Sequence, residues 1–184
     1  MNWMTKIDAL KLRRLLSWRR LREVIIYALI FFIAGFLGNL WMTRDQIAGT
    51  VPDISVRTLA GDSVHFASID SHKKPVLLYF FADWCPICKL QNNTMSSLAQ
   101  DFEVIGIAMQ SGDDSQLGAY LAQHDIHFPV INDRSGSLSR RFGVNGVPAT
   151  FMIDAAGMLR YPTHGYASWL GLRSRLMLAR LSVD

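Results

Sequence analysis

The chain has 184 residues, half of them hydrophobic, which is enough for one domain with a hydrophobic core and an additional segment. Its net charge of +4 arises at the N-terminus, because residues 1–23 contain seven Lys and Arg but only two acidic residues. The remaining residues are close to neutral, which excludes a basic surface for phosphates and therefore a nucleic-acid partner.

The first predicted element is a transmembrane signal anchor at residues 24–42. This segment has no charged residue, Asn39 is its only strongly polar one, and as a helix it is close to the thickness of a hydrocarbon core. The basic tail at residues 1–23 predicts a cytoplasmic N-terminus and a single-pass topology with the rest of the chain outside. Trp41 lies where an interfacial aromatic is expected. A cleaved signal peptide and a buried soluble helix are the alternatives.

Residues 43–50 are predicted to be a linker, and residues 51–184 a domain of alternating strand and helix patterns. In chain order we expect strands at 54–59, 63–66 and 76–82, a helix that begins at Pro86 and continues through 90–102, a strand at 104–109, a helix at 113–124, a strand at 128–131, a turn at Asn132-Asp133, a helical turn at 137–142, strands at 149–154 and 158–161, and a helix at 168–181. The expected apolar positions of the two long helices are Leu90, Met95, Leu98 and Phe102, and Leu170, Leu172, Leu176, Leu178 and Leu181. This order predicts an α/β fold with one mixed sheet and helices on both faces.

The only two cysteines, Cys85 and Cys88, lie where the apolar strand ends and a helix begins. Two cysteines cannot form a disulfide framework for a domain of this size, and bridging them closes a loop too small to add much stability. Cys85 at the N-cap, with Pro86 in the first helical position, would have a lowered pKa because the positive helix end favours a thiolate. We therefore expect Cys85 to be the nucleophile and Cys88 the resolving thiol.

Metal binding is the main chemical alternative for this pair. Two thiolates on an exposed turn can bind Cu(I), but zinc needs further ligands and the sequence has no second cysteine pair. The histidines are scattered without ligand spacing, at His65, His72, His124, His127 and His164. The cysteine chemistry requires no metal and no organic cofactor, and none is predicted.

Two motifs carry a resemblance to a known family. The segments PVLLYFFADWCPICK at 75–89 and GVPATFMID at 146–154 resemble thioredoxin-like proteins of the membrane-anchored TlpA-like group, over about residues 51–184. The resemblance implies a thioredoxin-like fold, a cis-proline at Pro148 facing the disulfide, and docking of an extended substrate on the backbone of Val147. It also implies that Trp84, Pro86 and Ile87 contribute to the substrate-binding surface.

Within that group the overall plan is similar to suppressor-of-copper-sensitivity thioredoxin-like proteins and to cytochrome c maturation thioredoxins. The chain departs from the latter at Ala149, where they often carry an acidic residue. It departs from ordinary thioredoxin at Tyr79, which occupies the place of a buried aspartate. Asp83 is adjacent to the cysteines but is as well explained as a solvated charge, so no proton acceptor for Cys88 is assigned.

Together these features predict a protein-disulfide reductase of the bacterial inner membrane, with its catalytic domain in the periplasm. The resemblance implies that a membrane electron donor of the thiol–disulfide transporter type reduces the Cys85–Cys88 disulfide again. The alternatives are a cytochrome c maturation thioreductase, a thiol oxidase or isomerase, and, in another class, a copper-sequestering module or an apocytochrome holdase.

Overall fold

The computed structural model describes residues 4–43, 49–69 and 75–181, and within the first range it describes the side chains of residues 18–38. The chain divides into two compact units, one within residues 1–42 and one within residues 43–184. His72 and the side chains of Trp41 and of the basic residues before residue 18 lie outside the described parts. The predicted boundaries of tail, anchor and domain therefore stay predictions.

The first unit contains a single long helix, α1, at Met4–Thr43. Its stretch Trp18–Gly38 has a mean hydropathy of 2.0 and is long and apolar enough to cross a membrane. Large apolar side chains such as Phe31 and Phe32 are 82% and 72% exposed. An apolar helix of this length with exposed side chains fits a single-pass membrane anchor.

The second unit contains eight strands and four helices in its described residues. The strands are β1 (Gly49–Thr50), β2 (Ser55–Arg57), β3 (Ser63–His65), β4 (Val76–Phe81), β5 (Glu103–Met109), β6 (Val130–Asp133), β7 (Ala149–Ile153) and β8 (Met158–His164). The helices are α2 (Pro86–Leu98), α3 (Asp114–Gln123), α4 (Ser137–Arg141) and α5 (Trp169–Leu181), with a 3-10 turn at Phe66–Ser68.

Six strands form one mixed sheet in the order β1-β8-β7-β4-β5-β6, and β2 pairs with β3 in a separate hairpin. β4 is parallel to β5, and β5 to β6, whereas β7 is antiparallel to both β4 and β8. All six residues of β4 are buried, because this strand has neighbours on both edges and side chains packed on both faces. The central strand therefore fixes the position of the segment that follows it, which carries the cysteines.

Each face of the sheet has its own hydrophobic cluster. One cluster contains Tyr79, Phe81 and the cysteines and is covered by α2, α3 and α5. The other contains Phe80 and Phe142 and is covered by α4, the 3-10 turn and the β2–β3 hairpin. Gly106, opposite Tyr79 in the register, has no space for a side chain, because a Cβ there would lie 2.9 Å from Phe128 Cε2. The predicted mixed sheet with helices on both faces is confirmed.

Several local expectations were wrong. Leu90 is 69% exposed, and Leu170, Leu178 and Leu181 are 70%, 51% and 79% exposed, so these residues are not core positions. Asn132 and Asp133 are the end of β6 and not a turn, because Asp133 accepts the N–H of Gln110 and its carboxylate caps α4. The strand β1 lies within the predicted linker, where Gly49 and Thr50 pair with β8.

Candidate active site

The cysteines lie at the point where β4 gives way to α2. Cys85 has extended backbone angles and is the N-cap of α2, and Pro86 occupies the first helical position. The N–H of Cys85 donates to the carbonyl of Ala82 at 3.2 Å, which closes the turn after β4. Cys85 and Cys88 are joined by a disulfide, with their Cα atoms 5.2 Å apart.

The two sulfur atoms have different surroundings. Cys85 Sγ accepts the N–H of Cys88 at 3.2 Å, and that N–H belongs to the set that has no partner within the helix. A thiolate at this position would be stabilised by the same N–H and by the positive helix end. Cys88 is fully buried, whereas Cys85 is 4% exposed, between Trp84 and Ile87 at 57% and 48%. Cys85 is therefore the sulfur that a second protein can reach.

The loop before β7 forms the opposite wall of the site. The peptide bond between Val147 and Pro148 is cis, as the resemblance implied. Cys85 Sγ lies 3.6 Å from the carbonyl oxygen of Val147, and the carbonyl of Pro148 accepts the N–H of Gly165 at 2.8 Å. Among the described residues, neither the N–H nor the C=O of Val147 has a backbone hydrogen-bond partner. This short segment beside the disulfide can therefore pair with another chain.

An imidazole borders the same loop. His164 pairs with Ala149 across β7 and β8, and its Cε1 lies 2.9 Å from the position that a Cβ on Gly146 would take. A side chain at 146 would therefore displace the His164 ring from this position. Burial lowers the pKa of His164, so that its ring is neutral at neutral pH.

The side chain of Trp84 is held by its polar edge. Its indole N–H donates to the carbonyl of Gln110 at 3.2 Å, and its backbone N–H donates to Asp83 Oδ1 at 2.8 Å. The N–H of Asp83 in turn donates to Ser111 Oγ at 3.1 Å. The ring is thus fixed in orientation while more than half of its surface remains exposed next to Cys85.

A chain of buried polar groups lies behind Cys88. The Tyr79 hydroxyl is 3.0 Å from Asn92 Oδ1 and 3.2 Å from the Cys88 carbonyl oxygen, and Asn92 Nδ2 donates to the Tyr120 hydroxyl at 2.9 Å. Burial, and secondarily the neighbouring Tyr120, raises the pKa of Tyr79 far above its usual range. Burial also raises the pKa of Tyr120, with a smaller contribution from the charge of Asp83. Both phenols are therefore neutral at physiological pH. Tyr79, Asn92 and Tyr120 thus supply no carboxylate as a proton acceptor for Cys88.

A second buried amide attaches α2 to the start of α5. Gln91 Nε2 donates to the carbonyl of Ala167 at 2.9 Å, and the N–H of Ala167 donates to Gln91 Oε1 at 2.8 Å. Gln91 is 1% exposed, so this pair is shielded from water. It fixes the segment that carries the exposed Tyr166 against the helix of the cysteines.

The sequence-based interpretation missed Gln91, Asn92, Tyr120 and His164. The amides had a detectable signal, because residues three and four positions after the buried Cys88 lie on the same helix face. A polar side chain on a buried face requires a partner, and here the partners come from other elements. Tyr120 and His164 had no such signal, since only the fold brings α3 and β8 to the site.

The described residues include no group of three or more His, Cys, Asp or Glu side chains that could hold a metal ion. His65 lies beside Asp53 and Ser55, and His127 beside Asp125, in both cases at the surface. His65 and His127 therefore have other partners, and no described histidine forms such a ligand group with the cysteines.

Comparison with known proteins gives a consistent result. A model of the AhpC/TSA family matches residues 47–162. The thioredoxin-like protein of Haemophilus influenzae is 31% identical over 140 residues, covering 76% of this chain and 83% of that protein. The thiol:disulfide interchange protein DsbE of Escherichia coli K12 is 31% identical over 157 residues, covering 76% of this chain and 84% of that protein. The structure of a secreted disulfide oxidoreductase of Mycobacterium tuberculosis, 26% identical, matches with a TM-score of 0.58 over 68% of this chain and 96% of that one.

These similarities confirm the predicted thioredoxin-like fold and the predicted class of thiol–disulfide oxidoreductase. The narrower resemblance to suppressor-of-copper-sensitivity proteins, and the setting of copper tolerance, stay predictions.

Proposed function

The chain belongs to the AhpC/TSA family of thioredoxin-like proteins, and from this premise we propose that it is a membrane-anchored reductase of protein disulfides. The observation that carries the proposal is the position of Cys85. Its sulfur lies at a helix N-terminus and 3.6 Å from the carbonyl oxygen of Val147, whose N–H and C=O have no backbone partner among the described residues. A nucleophilic sulfur and a docking segment for an extended chain are thus side by side.

The proposed reaction has two exchange steps. In the reduced protein, the Cys85 thiolate attacks one sulfur of a substrate disulfide, forming a mixed disulfide and releasing the other substrate sulfur as a thiolate, which takes up a proton. Cys88 then loses its proton and attacks the Cys85 sulfur, which releases the second substrate thiol and leaves the Cys85–Cys88 disulfide. Two electrons pass from the cysteine pair to the substrate.

The substrate is proposed to bind as an extended chain along Val147 and Pro148. The N–H and C=O of Val147, which have no backbone partner among the described residues, supply main-chain hydrogen bonds that do not depend on the substrate sequence. Trp84, Pro86 and Ile87 supply an exposed apolar surface beside the substrate cysteine. Such a site suits many protein disulfides and favours apolar residues next to the cysteine.

We place the catalytic domain in the periplasm, with α1 in the inner membrane and the N-terminus in the cytoplasm. The basic tail and the apolar helix support this orientation. In an oxidising compartment the disulfide must be reduced again. The proposed donor is a membrane protein that passes electrons outward through thiol–disulfide exchange, and no metal or organic cofactor takes part in the exchange.

Reduction of insulin by dithiothreitol tests this function. The full chain in detergent should accelerate insulin precipitation, and Cys85→Ser should remove the acceleration. A purified chain that gives no acceleration but binds Cu(I) tightly would contradict the proposal in favour of a copper-sequestering module. A chain that oxidises reduced substrates in the periplasm and is itself found oxidised there would instead indicate an oxidase.

A further inference from the structure

The hydroxyl of Tyr79 is a fixed point directly behind the resolving cysteine. Tyr79 lies on the central strand β4, is fully buried, and stacks on Phe81 with a centroid distance of 5.2 Å. Phe128 packs edge-on against the same ring at 6.5 Å. The ring is therefore confined on two sides, and its hydroxyl can move little relative to the sheet.

The Tyr79 hydroxyl contacts two oxygen atoms in the first two turns of α2. It lies within hydrogen-bond distance of the Cys88 carbonyl and of the Asn92 side chain, one helical turn later. Asn92 is 1% exposed, and its amide nitrogen donates to the hydroxyl of Tyr120 on α3. The helix turn that carries Cys88 is thus tied to β4 on one side and to α3 on the other.

Cys85 has a different attachment. Its carbonyl accepts the N–H of Lys89 at 3.3 Å, and its sulfur faces the half-buried Val147. The network of Tyr79, Asn92 and Tyr120 contacts the backbone of Cys88 and not that of Cys85. Removing it should affect the approach of Cys88 to a mixed disulfide and leave the attack by Cys85 unchanged.

We propose that Tyr79, Asn92 and Tyr120 are positioning residues that hold Cys88 within reach of the Cys85 sulfur during resolution of the mixed disulfide. This inference rests on the proposed function. The reaction concerned is the second exchange, in which Cys88 forms a bond to Cys85, the bond from Cys85 to the substrate breaks, and the Cys88 proton leaves for solvent. A held sulfur has a high effective concentration for this step.

The two exchanges can be followed separately with an aromatic disulfide reagent that releases a coloured thiolate. The reduced full chain in detergent should release one equivalent as Cys85 attacks, in a phase that depends on reagent concentration. It should release a second equivalent as Cys88 resolves the adduct, in a phase that does not. Tyr79→Phe should slow the second phase between about two- and tenfold, as expected for loss of one neutral hydrogen bond, and leave the first unchanged.

The reduction potential gives an independent measurement. A lower effective concentration of Cys88 weakens the Cys85–Cys88 disulfide. In a glutathione redox buffer, the reduction potential of Tyr79→Phe should therefore be higher, that is more oxidising, by about 10–30 mV, which is the equivalent of a two- to tenfold change. Asn92→Leu should shift the reduction potential in the same direction. The shift of the double variant should be little larger than that of either single variant, because both changes interrupt one network.

Ser139→Ala is the matched control. Ser139 Oγ donates a buried 2.7 Å hydrogen bond to the Asp133 carboxylate on the other face of the sheet, so this variant loses a contact at least as strong, away from the cysteines. The inference is overturned if Tyr79→Phe and Asn92→Leu resolve as fast as the unmodified chain, or if Ser139→Ala slows resolution equally. If the unmodified chain itself shows no second phase, the proposed function fails and not only this inference.

Discussion

Replacing Gln91 by methionine should destabilise the domain, because the N–H and the C=O of Ala167 would lose their hydrogen-bond partner. Methionine has nearly the length and volume of glutamine but no amide, so packing is kept while both hydrogen bonds to Ala167 are lost. The N–H and C=O of Ala167, a residue 8% exposed, are then left without partners. Each orphaned buried group costs about 1–3 kcal/mol.

The expected loss is about 2–4 kcal/mol, the lower part of the sum, because Ala167 precedes α5 at the edge of the core where water can enter. For a chain of this size each kcal/mol lowers Tm by about 2–4 °C, so a loss of 3 kcal/mol corresponds to roughly 6–12 °C. Thermal unfolding of the oxidised full chain in detergent, followed by near-ultraviolet circular dichroism, measures this change.

Leu90→Ala is the control for the Gln91 variant. Leu90 is the adjacent residue and is 69% exposed, so its truncation should change stability by less than about 0.5 kcal/mol. The reasoning is refuted if Gln91→Met is no less stable than Leu90→Ala, since the two hydrogen bonds would then contribute nothing that water does not replace.

Three further predictions concern ionisable groups that are buried or half-buried. Asp154→Ala should lower the free energy of unfolding, measured by urea titration, by about 2–4 kcal/mol. The buried carboxylate accepts two backbone N–H groups of the β7–β8 turn and the Nε–H of Arg160, and all three hydrogen bonds would be lost. A loss below about 1 kcal/mol would contradict this. The raised pKa of Tyr79 means that the unfolded chain loses this proton first, so stability should fall above about pH 10 and fall less steeply in Tyr79→Phe. Parallel alkaline decline in both chains would refute that assignment. Burial lowers the pKa of His164, so its NMR titration midpoint should lie below about 6.5. Because the unfolded chain then binds this proton first, stability should be lost as pH falls. A midpoint above about 6.5 would show that the ring is solvated.

The cysteine site was predictable because its determinants are local. The apolar run before Cys85 predicts the strand, and proline after it predicts the N-cap and the start of the helix. The spacing then places Cys88 one turn into that helix, without reference to the rest of the fold. The partner loop was predictable only through resemblance, since nothing local in the sequence joins Val147 to Cys85.

The errors arose where tertiary contacts override local pattern. Leu170 and Leu181 are spaced as helix core residues, yet the sheet contacts the α5 side that carries Leu172 and Leu176. Asn132-Asp133 has the composition of a turn, but pairing with β5 extends the strand, and the Asp133 carboxylate is used to cap α4. The identity of Tyr79 suggested a missing acid, and only the structure shows that the phenol joins a network with Asn92 and Tyr120.

The proposal that Cys85 exchanges with protein disulfides is tested most directly by trapping. Cys88→Ala removes the resolving sulfur, so mixed disulfides on Cys85 should persist, and the chain isolated from membranes under acid quench should carry covalent partners that reducing agent releases. These partners should be periplasmic proteins, and Cys85→Ala should carry none. Recovery of Cys88→Ala without reducible adducts, or with the same adducts after Cys85→Ala, would contradict the assignment of Cys85 as the exchanging sulfur.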